Sequence, residues 1–301
     1  MPELPEVETI RRQLKEVLVG KTVSEVEVLR TKSFSGDPAK IGGWKIQDIQ
    51  RKSKVIEILF EKEVRVVIVH LKMTGQLIFV KNDEKSQNLK NSKTQDGKID
   101  IKNRIVGGHP TADWVNELPS KHTRIIWTFE DGSKLFFNDM RVFGWMRLVE
   151  RTQEHKNSRY QVPDVIDKDF TVEYLFNLLK KSKKWIKIVL LDQNKMGGLG
   201  NIYVNDALFL AGIRPERRSD SLSKSEIKKL YDAVIKVTKL GIKYGGASSS
   251  NYVNVSGLGG SYQDHFLVYK REGKKCLNCE EMIQKVKLRG RGTFYCPRCQ
   301  K

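Results

Sequence analysis

The spacing of hydrophobic residues divides the chain into a strand-rich first half and a helix-rich second half. Near the amino terminus, apolar residues recur every three or four positions from Leu4 to Leu18, and Gly20 follows them. This spacing, with a glycine just past its end, predicts an amphipathic helix over residues 5–19. Pro5 suits the first turn of such a helix because its missing N–H is not needed there.

From residue 22 to about residue 149, short segments rich in β-branched and aromatic residues are separated by breakers such as Gly42–Gly43 and Asp131–Gly132. Segments of this composition are typical of β-strands. The predicted strands are Val23–Leu29, Val55–Phe60, Val64–Val69, Leu77–Val80, Arg124–Phe129 and Lys134–Phe137. Because each strand must bury one face against another layer, we expect a β-sandwich packed with the first helix.

After residue 168 the hydrophobic spacing becomes helical. The predicted helices are Val172–Leu179, Lys184–Leu191, Ile202–Ala211 and Lys224–Leu240. Asn201 precedes the third of these, where its side chain could cap the helix and backbone N–H groups would face an anion. A turn of this kind is also common without a ligand. A lysine-rich segment from Lys180 to Lys187 predicts a solvated helix face, with contact to a polyanion as the alternative.

These patterns predict an α+β protein. We expect an N-terminal β-sandwich domain over residues 1–150, a linker over 151–168, a helical domain over 169–262 and a C-terminal hairpin domain over 263–301. Residues 81–98 contain a single apolar residue, Leu89, and predict a mobile surface loop. The sequence assigns no function to the insertion that extends over residues 81–121.

Composition adds a strong positive charge to this picture. The 301 residues include 55 Lys and Arg against 36 Asp and Glu, a formal net charge of +19, with a pI near 9.7. No apolar run approaches the roughly 18 residues of a membrane span. Such a surface is expected to bind nucleic acid, although an anionic membrane surface or a merely soluble basic protein fits the same charge. MPELPEVET carries acids where a signal peptide carries positive charge, so we expect a cytoplasmic protein.

The four cysteines lie close to the carboxyl end. They are Cys276, Cys279, Cys296 and Cys299, two Cys-x2-Cys pairs with sixteen residues between them. This spacing predicts one structural Zn²⁺ held by four thiolates. Two disulfides or four idle thiols are the alternatives, and disulfides are disfavoured in a chain that is not exported.

Between the cysteine pairs, the segment from Gln284 to Tyr295 predicts a β-hairpin. Val286 and Leu288 alternate with basic residues, and Gly290-Arg291-Gly292 predicts a tight turn with an arginine at the tip. A basic hairpin of this kind is suited to reach a groove or a phosphate, although small zinc ribbons are often purely structural.

The first residues offer a candidate nucleophile. If Met1 is removed, Pro2 has a free secondary amine, and an α-amine has a pKa of about 8, lowered further by a nearby helix amino terminus. Such an amine can attack a sugar C1′ and form a cationic iminium, with Glu3 as the neighbouring proton donor or acceptor. Proline at position 2 is, by itself, most often only a permissible amino terminus.

Several blocks of sequence favour the interpretation of Pro2 as a nucleophile. They are MPELPEVETIRR at the start, RKSK around Lys54, HLKMTG from His70, FNDMRVFG from Phe137, GLGNIYVNDALFLAGIRP from Gly198, and GTFYCPRCQK at the end. In both halves and in this order, they resemble the formamidopyrimidine-DNA glycosylase family, which removes oxidised purines such as 8-oxoguanine and cuts the strand at the resulting abasic site. The resemblance implies a helix–two-turn–helix element in the helical domain and a C-terminal zinc finger.

The resemblance also implies roles for individual residues. Pro2 would displace the damaged base with help from Glu3, and successive β- and δ-elimination would follow from the iminium, with Glu6 organising the site. Residues that would bind DNA are Met73, Arg141 and Phe143, which fill the vacancy left by the extruded base, and Lys54, Asn201, Arg291 and His122, with Lys54 and Arg291 close to the catalytic centre. A glycine- and serine-rich loop over residues 245–261 would fold over that base.

Each of these residues also has an ordinary structural interpretation. Met73 and Phe143 could be core residues at strand ends, Lys54 a solvated strand lysine, and Glu6 a helix-start acid. The family often has a second arginine where this chain has Val142, so a role at that position is not carried over. The partner implied is double-stranded DNA with damaged bases or abasic sites, bound by a monomer at the bacterial nucleoid and not by a membrane protein.

Other classes of protein remain open at this point. An oxidised-pyrimidine glycosylase of the endonuclease VIII type shares much of the pattern. A catalytically silent DNA-binding protein would keep the zinc hairpin and the positive charge, and an RNA-binding zinc ribbon would keep the hairpin alone.

Overall fold

The computed structural model describes residues 2–82, 104–108, 118–152, 161–247 and 260–301. The chain divides into two compact units. The first comprises the described residues within 1–2, 6–155 and 247–260, and the second those within 3–5, 156–246 and 261–301. Most of the predicted loop over 81–98, much of the 81–121 insertion and most of the 245–261 loop lie outside the described residues.

The main elements of the first unit are most of one α-helix and a series of β-strands. The elements are α1 (Leu4–Leu18), β1 (Val23–Val28), β2 (Phe34–Ser35), β3 (Ile46–Lys52), β4 (Val55–Phe60), β5 (Arg65–His70), β6 (Gly75–Val80), β7 (Arg104–Gly108), β8 (Thr123–Phe129), β9 (Lys134–Asp139) and β10 (Trp145–Glu150). One sheet has the strand order β1-β8-β9-β6-β7, and the other has β2-β10-β5-β4-β3. Neighbouring strands are antiparallel except β10 and β2.

The core of this unit confirms the predicted sandwich and helix. Val7, Ile10 and Leu14 of α1 belong to one buried cluster with side chains of both sheets, among them Phe60 and Trp127. The apolar face of α1 therefore packs on the sandwich, as its spacing predicted. Sequence reasoning missed β2, β3, β7 and β10.

The main elements of the second unit are four α-helices and a hairpin. They are α2 (Val172–Lys180), α3 (Ile186–Leu190), α4 (Asn201–Leu210), α5 (Lys224–Lys243), β11 (Gln284–Leu288) and β12 (Arg291–Tyr295). Side chains cap two of the helices: Thr171 accepts from Tyr174 N–H, and Ser223 and Glu226 form a capping box on α5. The predicted cap at Asn201 is wrong, because Asn201 is the first helical residue and Gly200 occupies the cap position without a side-chain bond.

The hairpin turn is one residue earlier than predicted. Leu288 pairs with Arg291, so Arg289 and Gly290 form a two-residue turn, with φ of 43° and 79°. Two successive positive φ angles are the type I′ geometry that matches the twist of a hairpin, and glycine tolerates such angles easily. Arg289 is therefore the arginine at the tip, and Arg291 begins β12. Within the described residues, no helix has the length and apolar character needed to cross a bilayer.

Candidate functional site

The side chain of Glu3 lies at the amino-terminal end of α4. Its Oε1 accepts a hydrogen bond of 2.9 Å from Ile202 N–H, and the residue is 4% exposed. The first N–H groups of a helix lack partners inside the helix and carry partial positive charge, so a carboxylate there is stabilised. Glu3 thus supplies to α4 the acceptor that sequence reasoning expected from Asn201. Pro2, its chain neighbour, is also buried.

Two glycines allow the amino-terminal segment to come this close. A Cβ at Gly200 would lie 2.3 Å from Cδ of Glu3, and a Cβ at Gly198 would lie 2.4 Å from Cδ1 of Leu4. Gly198 also has φ of +97°, which disfavours other residues. In addition, Leu4 N–H donates to Gly198 O at 3.0 Å. The turn before α4 therefore requires glycine for space as well as for conformation.

The start of α4 is also joined to the hairpin. Asn201 Nδ2 donates to Gly292 O at 3.0 Å, and Lys187 Nζ donates to the same carbonyl at 3.0 Å. Lys187 Nζ further donates to Thr293 Oγ1 at 2.7 Å and to Asn205 Oδ1 at 3.2 Å. These bonds connect α3, α4 and β12, and they fix the strand residue that follows the exposed Arg291.

Lys187 is fully buried, which corrects the prediction that it belongs to a solvated helix face. Burial, and next the nearby charge of Arg291, lower the pKa of Lys187 from 10.5 to about 7, while the charge of Glu3 opposes this. The three acceptors around Nζ match the three protons of an ammonium group. Burial thus works against the charged form of this lysine, while its three hydrogen-bond acceptors favour that form.

Asp206, on the buried side of α4, holds the segment after the glycine- and serine-rich loop. Its Oδ1 accepts from the backbone N–H groups of Leu267, Val268 and Tyr269 at 3.0–3.3 Å, and its Oδ2 accepts from the Tyr262 hydroxyl at 3.1 Å. Complete burial raises the pKa of Asp206 to about 6, against the effect of these bonds. The chain that returns from the loop is thus fixed to the same helix that Glu3 caps.

Met73, Arg141 and Phe143 come together in the first unit. Arg141 Nη1 lies 3.5 Å from Sδ of Met73, and its guanidinium carbon lies 4.7 Å from the centre of the Phe143 ring. Met73 is 45% exposed and Phe143 is 51% exposed, so neither is the core residue that their sequence context alone would suggest. Exposed apolar side chains such as these two are suited to insert between stacked DNA bases, with the neighbouring cation beside them.

The buried carboxylate of Asp139 fixes the loop that carries Arg141 and Phe143. It accepts from the N–H of Arg141 at 3.1 Å and from the N–H of Gly144 at 2.6 Å, and the Thr74 hydroxyl also donates to it. Between these residues Val142 has φ of 54°, an unfavourable angle for a β-branched residue. The hydrogen bonds of Asp139 offset that strain and orient the two exposed side chains.

The remaining predicted residues of the first unit lie on three separate segments. Lys54 is buried in the β3–β4 turn, whose Ser53 carbonyl accepts from Arg51 Nη1 at 2.9 Å. His122 is half-buried just before β8, and its carbonyl accepts from Asp139 N–H at 2.9 Å. Glu6 Oε1 accepts from the N–H of Ala247 at 2.7 Å, where the described chain breaks off before the loop.

The four cysteines fit a tetrahedral metal site. The Sγ atoms of Cys276, Cys279, Cys296 and Cys299 lie within 4.8 Å of one another, with individual separations of 3.3 Å, 3.5 Å and 3.9 Å. Tetrahedral Zn–S bonds of about 2.3 Å place sulfurs about 3.8 Å apart. A disulfide requires an S–S distance of about 2.05 Å, so none of the four cysteines is bonded to another. Four sulfur ligands leave no coordination position for water, which is typical of structural zinc.

Sequence reasoning missed three positioning residues: Asp139, Lys187 and Asp206. All three are charged residues inside apolar or mixed segments, and a buried charge needs partners. A charged residue in an apolar segment can be recognised from sequence as unusual, but its partners cannot. The hydrogen bonds of Lys187 and Asp206 join residues that are 18 to 106 positions apart in the chain.

Comparison with known proteins covers the whole chain. Residues 1–146 match the formamidopyrimidine-DNA glycosylase N-terminal domain, residues 162–253 the formamidopyrimidine-DNA glycosylase H2TH domain, and residues 273–301 a zinc finger found in FPG and IleRS. The zinc-finger match and the cysteine geometry together show one structural zinc.

Individual relatives agree with these matches. The formamidopyrimidine-DNA glycosylase of Bacillus cereus is 34% identical over 308 residues, covering 100% of this chain and 99% of the relative. The Lactococcus lactis Fpg, in a complex with DNA containing an abasic site, has a TM-score of 0.81 at 30% identity, with 99% of each chain covered. The same protein in a complex with DNA containing an oxidised pyrimidine gives 0.80 at 30% identity, with both chains fully covered.

Proposed function

This chain belongs to the formamidopyrimidine-DNA glycosylase family, and from that premise we propose that it excises oxidised purines from duplex DNA and cleaves the strand at the abasic site. It is a DNA repair enzyme with glycosylase and abasic-site lyase activity. The observation that carries the proposal is the hydrogen bond from the Ile202 N–H at the start of α4 to the carboxylate of Glu3, the residue next to Pro2 in the chain.

The proposed chemistry begins at the nitrogen of Pro2, after removal of Met1. The amine attacks C1′, the bond from C1′ to the base breaks, and the base leaves with the bonding electrons and a proton. The C1′–O4′ bond then breaks as the sugar ring opens, O4′ takes a proton from Glu3, and the C1′=N iminium that forms with Pro2 acts as an electron sink. Loss of a 2′ proton expels the 3′ phosphate, a second elimination expels the 5′ phosphate, and hydrolysis releases Pro2.

Glu3 is the proposed proton carrier for these steps. A carboxylate that is held by a backbone N–H through one oxygen keeps a fixed position while its other oxygen exchanges protons. Glu6, bonded to Ala247 N–H, is proposed to keep α1 and the start of the loop in place around the damaged nucleotide.

Binding of the duplex is proposed to rest on two kinds of residue. The DNA backbone would be contacted by Lys54, Asn201, Arg291 and His122. Each DNA phosphate that is neutralised steepens the salt dependence of binding by about 0.9 in log–log slope. Met73, Arg141 and Phe143 would fill the space of the extruded nucleotide, which offsets a cost of a few kcal/mol. The zinc stabilises the hairpin that carries Arg291 and supplies no reacting group.

A second candidate substrate is an oxidised pyrimidine, because the Lactococcus lactis relative was solved with DNA containing one. Purified protein incubated with duplexes that contain 8-oxoguanine or thymine glycol separates the two: preferential excision of 8-oxoguanine supports the proposal, and preferential excision of thymine glycol overturns it. Binding without strand cleavage would indicate a silent DNA-binding protein, and equal binding of RNA an RNA-binding zinc ribbon. We further propose that the enzyme works as a monomer in the cytoplasm, at the nucleoid.

A further inference from the structure

A basic groove lies between the α2–α3 segment and the hairpin tip of the second unit. Its volume is about 560 Å³, within the range of ligand sites. The side chains that the argument uses are Lys181, Lys183, Lys184, Trp185, Lys195 and Arg289. None of them belongs to the proposed catalytic or phosphate-binding residues. Trp185 is 40% exposed, an unusual state for so large an apolar side chain.

The positive charges of this groove outnumber the acidic charge near them: the charge of Asp220, which pairs with Arg218, reaches Lys183 without forming an ion pair with it. Across residues 161–247 and 260–301, no ion pair joins an acidic side chain to any of its four lysines or to Arg289. Neighbouring cations outside the groove are satisfied: Arg218 pairs with Asp220 at 2.6 Å, and Lys180 Nζ donates to two backbone carbonyls. Five unpaired cations around one concavity attract a polyanion.

The two walls of the groove are held together by the buried lysine of α3. Lys187 lies two residues after Trp185 and donates to Gly292 O and Thr293 Oγ1 of the hairpin. Asn205 Oδ1 accepts from both Lys187 Nζ and Phe294 N–H, at 3.2 Å and 2.9 Å. The groove is therefore a fixed feature of the unit, since its opposite sides are joined by hydrogen bonds.

We propose that this groove binds an unpaired DNA strand that flanks the duplex, a proposal that rests on the DNA-repair function argued above. A duplex backbone presents phosphates and sugars alone, whereas an unpaired nucleotide also presents the face of its base. Cations along a groove together with an exposed aromatic ring are the combination that binds single strands. Trp185 supplies the ring, and the five cations supply the phosphate contacts.

The position of Arg289 places the groove next to a proposed DNA-phosphate ligand. Arg289 and Gly290 form the turn, and Arg291, the proposed phosphate ligand, follows directly. A strand held at Arg291 is thus within one or two residues of the groove. Strand cleavage creates two ends that remain paired to the opposite strand but can unpair at the break, and the groove would hold such an unpaired end after the reaction.

The test compares two labelled duplexes that carry the same stable tetrahydrofuran abasic analogue. One has blunt ends and the other has a single-stranded tail of about ten nucleotides, within the span of a typical single-strand site. For the wild-type chain we expect the tail to increase affinity at least about fivefold, given the strength of one base–aromatic stack. The tail should also steepen the salt dependence by about 0.7 in log–log slope for each phosphate bound.

Variants of the groove locate the effect. Lys183→Gln with Lys184→Gln, and separately Trp185→Leu, should abolish the advantage of the tail and leave blunt-duplex affinity unchanged. Lys236→Gln with Lys239→Gln removes the same charge from the exposed face of α5 and should keep the full advantage. Equal wild-type affinity for both duplexes overturns the proposal, as does an equal loss in the groove and α5 variants. Base excision on the blunt duplex, measured in the same preparations, reports the proposed function independently.

Discussion

Glu3 and Ile202 are joined by a hydrogen bond of 2.9 Å from the Ile202 N–H to Oε1 of Glu3, although they are 199 positions apart in the chain. The bond caps α4 with a carboxylate that comes from the amino-terminal segment. Since Pro2 is the preceding residue, the contact that stabilises the helix also positions the segment that carries the proposed nucleophile. At this residue, the stability of α4 is therefore coupled to the proposed catalysis.

Replacement of that carboxylate tests its role in proton transfer. Glu3→Gln keeps an oxygen that accepts from Ile202 N–H, so the fold should be retained, but the amide cannot carry a proton. We expect single-turnover excision of 8-oxoguanine to slow by about 10²- to 10⁴-fold. Glu16→Gln, on the exposed side of α1, removes an equal charge and should leave the rate unchanged. An excision rate of Glu3→Gln equal to that of the wild type would contradict the role.

Removal of the zinc should separate the hairpin from the rest of the protein. Metal binding of this kind supplies about 10–16 kcal/mol of folding free energy to a small zinc domain. We expect atomic absorption to find one zinc per chain. Chelation, or the substitution Cys279→Ser, should remove the zinc. Most of the DNA affinity should be lost with it, because Arg291 and Gly292 then lose their fixed positions. Full DNA affinity in a metal-free preparation would refute this dependence.

The exposed ring of Phe143 should matter more for a damaged base than for an abasic site. Extrusion of a base leaves a gap in the stack that the ring fills, whereas an abasic site has no base to extrude. Phe143→Ala should therefore slow excision of 8-oxoguanine about tenfold or more, which corresponds to the free energy of one base–aromatic stack. Cleavage at an abasic site should slow less. Leu29→Ala, at an exposed position near β1, serves as the control. Equal losses on both substrates would argue against a stacking role.

The buried Asp206 gives a prediction about pH. Its pKa is about 6 in the folded chain and 3.8 ordinarily, so the folded state holds more protons than the unfolded state between those values. Stability contributed by this group is therefore present at low pH and lost as pH rises through that window. Relative to Asp206→Asn, the wild type should lose about 2 kcal/mol of unfolding free energy between pH 4 and 6 in denaturant titrations. A difference independent of pH would show that the carboxyl titrates normally.

Local patterns in the sequence were sufficient for much of the fold. The spacing of apolar residues in α1 predicts the buried face of that helix, and the spacing of the two cysteine pairs predicts the metal site. Both features depend on residues that are close in sequence. The strand β3 was missed because its segment, IQDIQRK, is largely polar and lies at the edge of its sheet. Gly290 and Gly292 favour a turn at those positions by composition, whereas Arg289 and Gly290 adopt the two-residue turn because their positive φ angles match the twist of the hairpin.

The candidate site was predictable only in part. Resemblance supplied residues such as Glu3 and Asn201, but not the direction of their bonds: the structure gives the cap of α4 to Glu3 and points the Asn201 amide to Gly292. Lys187 looked like one more surface lysine, because its acceptors come from helices and strands distant in sequence. Contacts of that range depend on the tertiary fold, which local spacing does not encode.

Borohydride trapping tests the central claim most directly. The protein is incubated with a duplex that contains 8-oxoguanine, reduced during the reaction, digested and mapped by mass spectrometry. We expect a covalent adduct between the deoxyribose and the amine of Pro2, in a chain from which Met1 has been removed. A fully active preparation that retains Met1, or an adduct on a lysine instead, would contradict the mechanism.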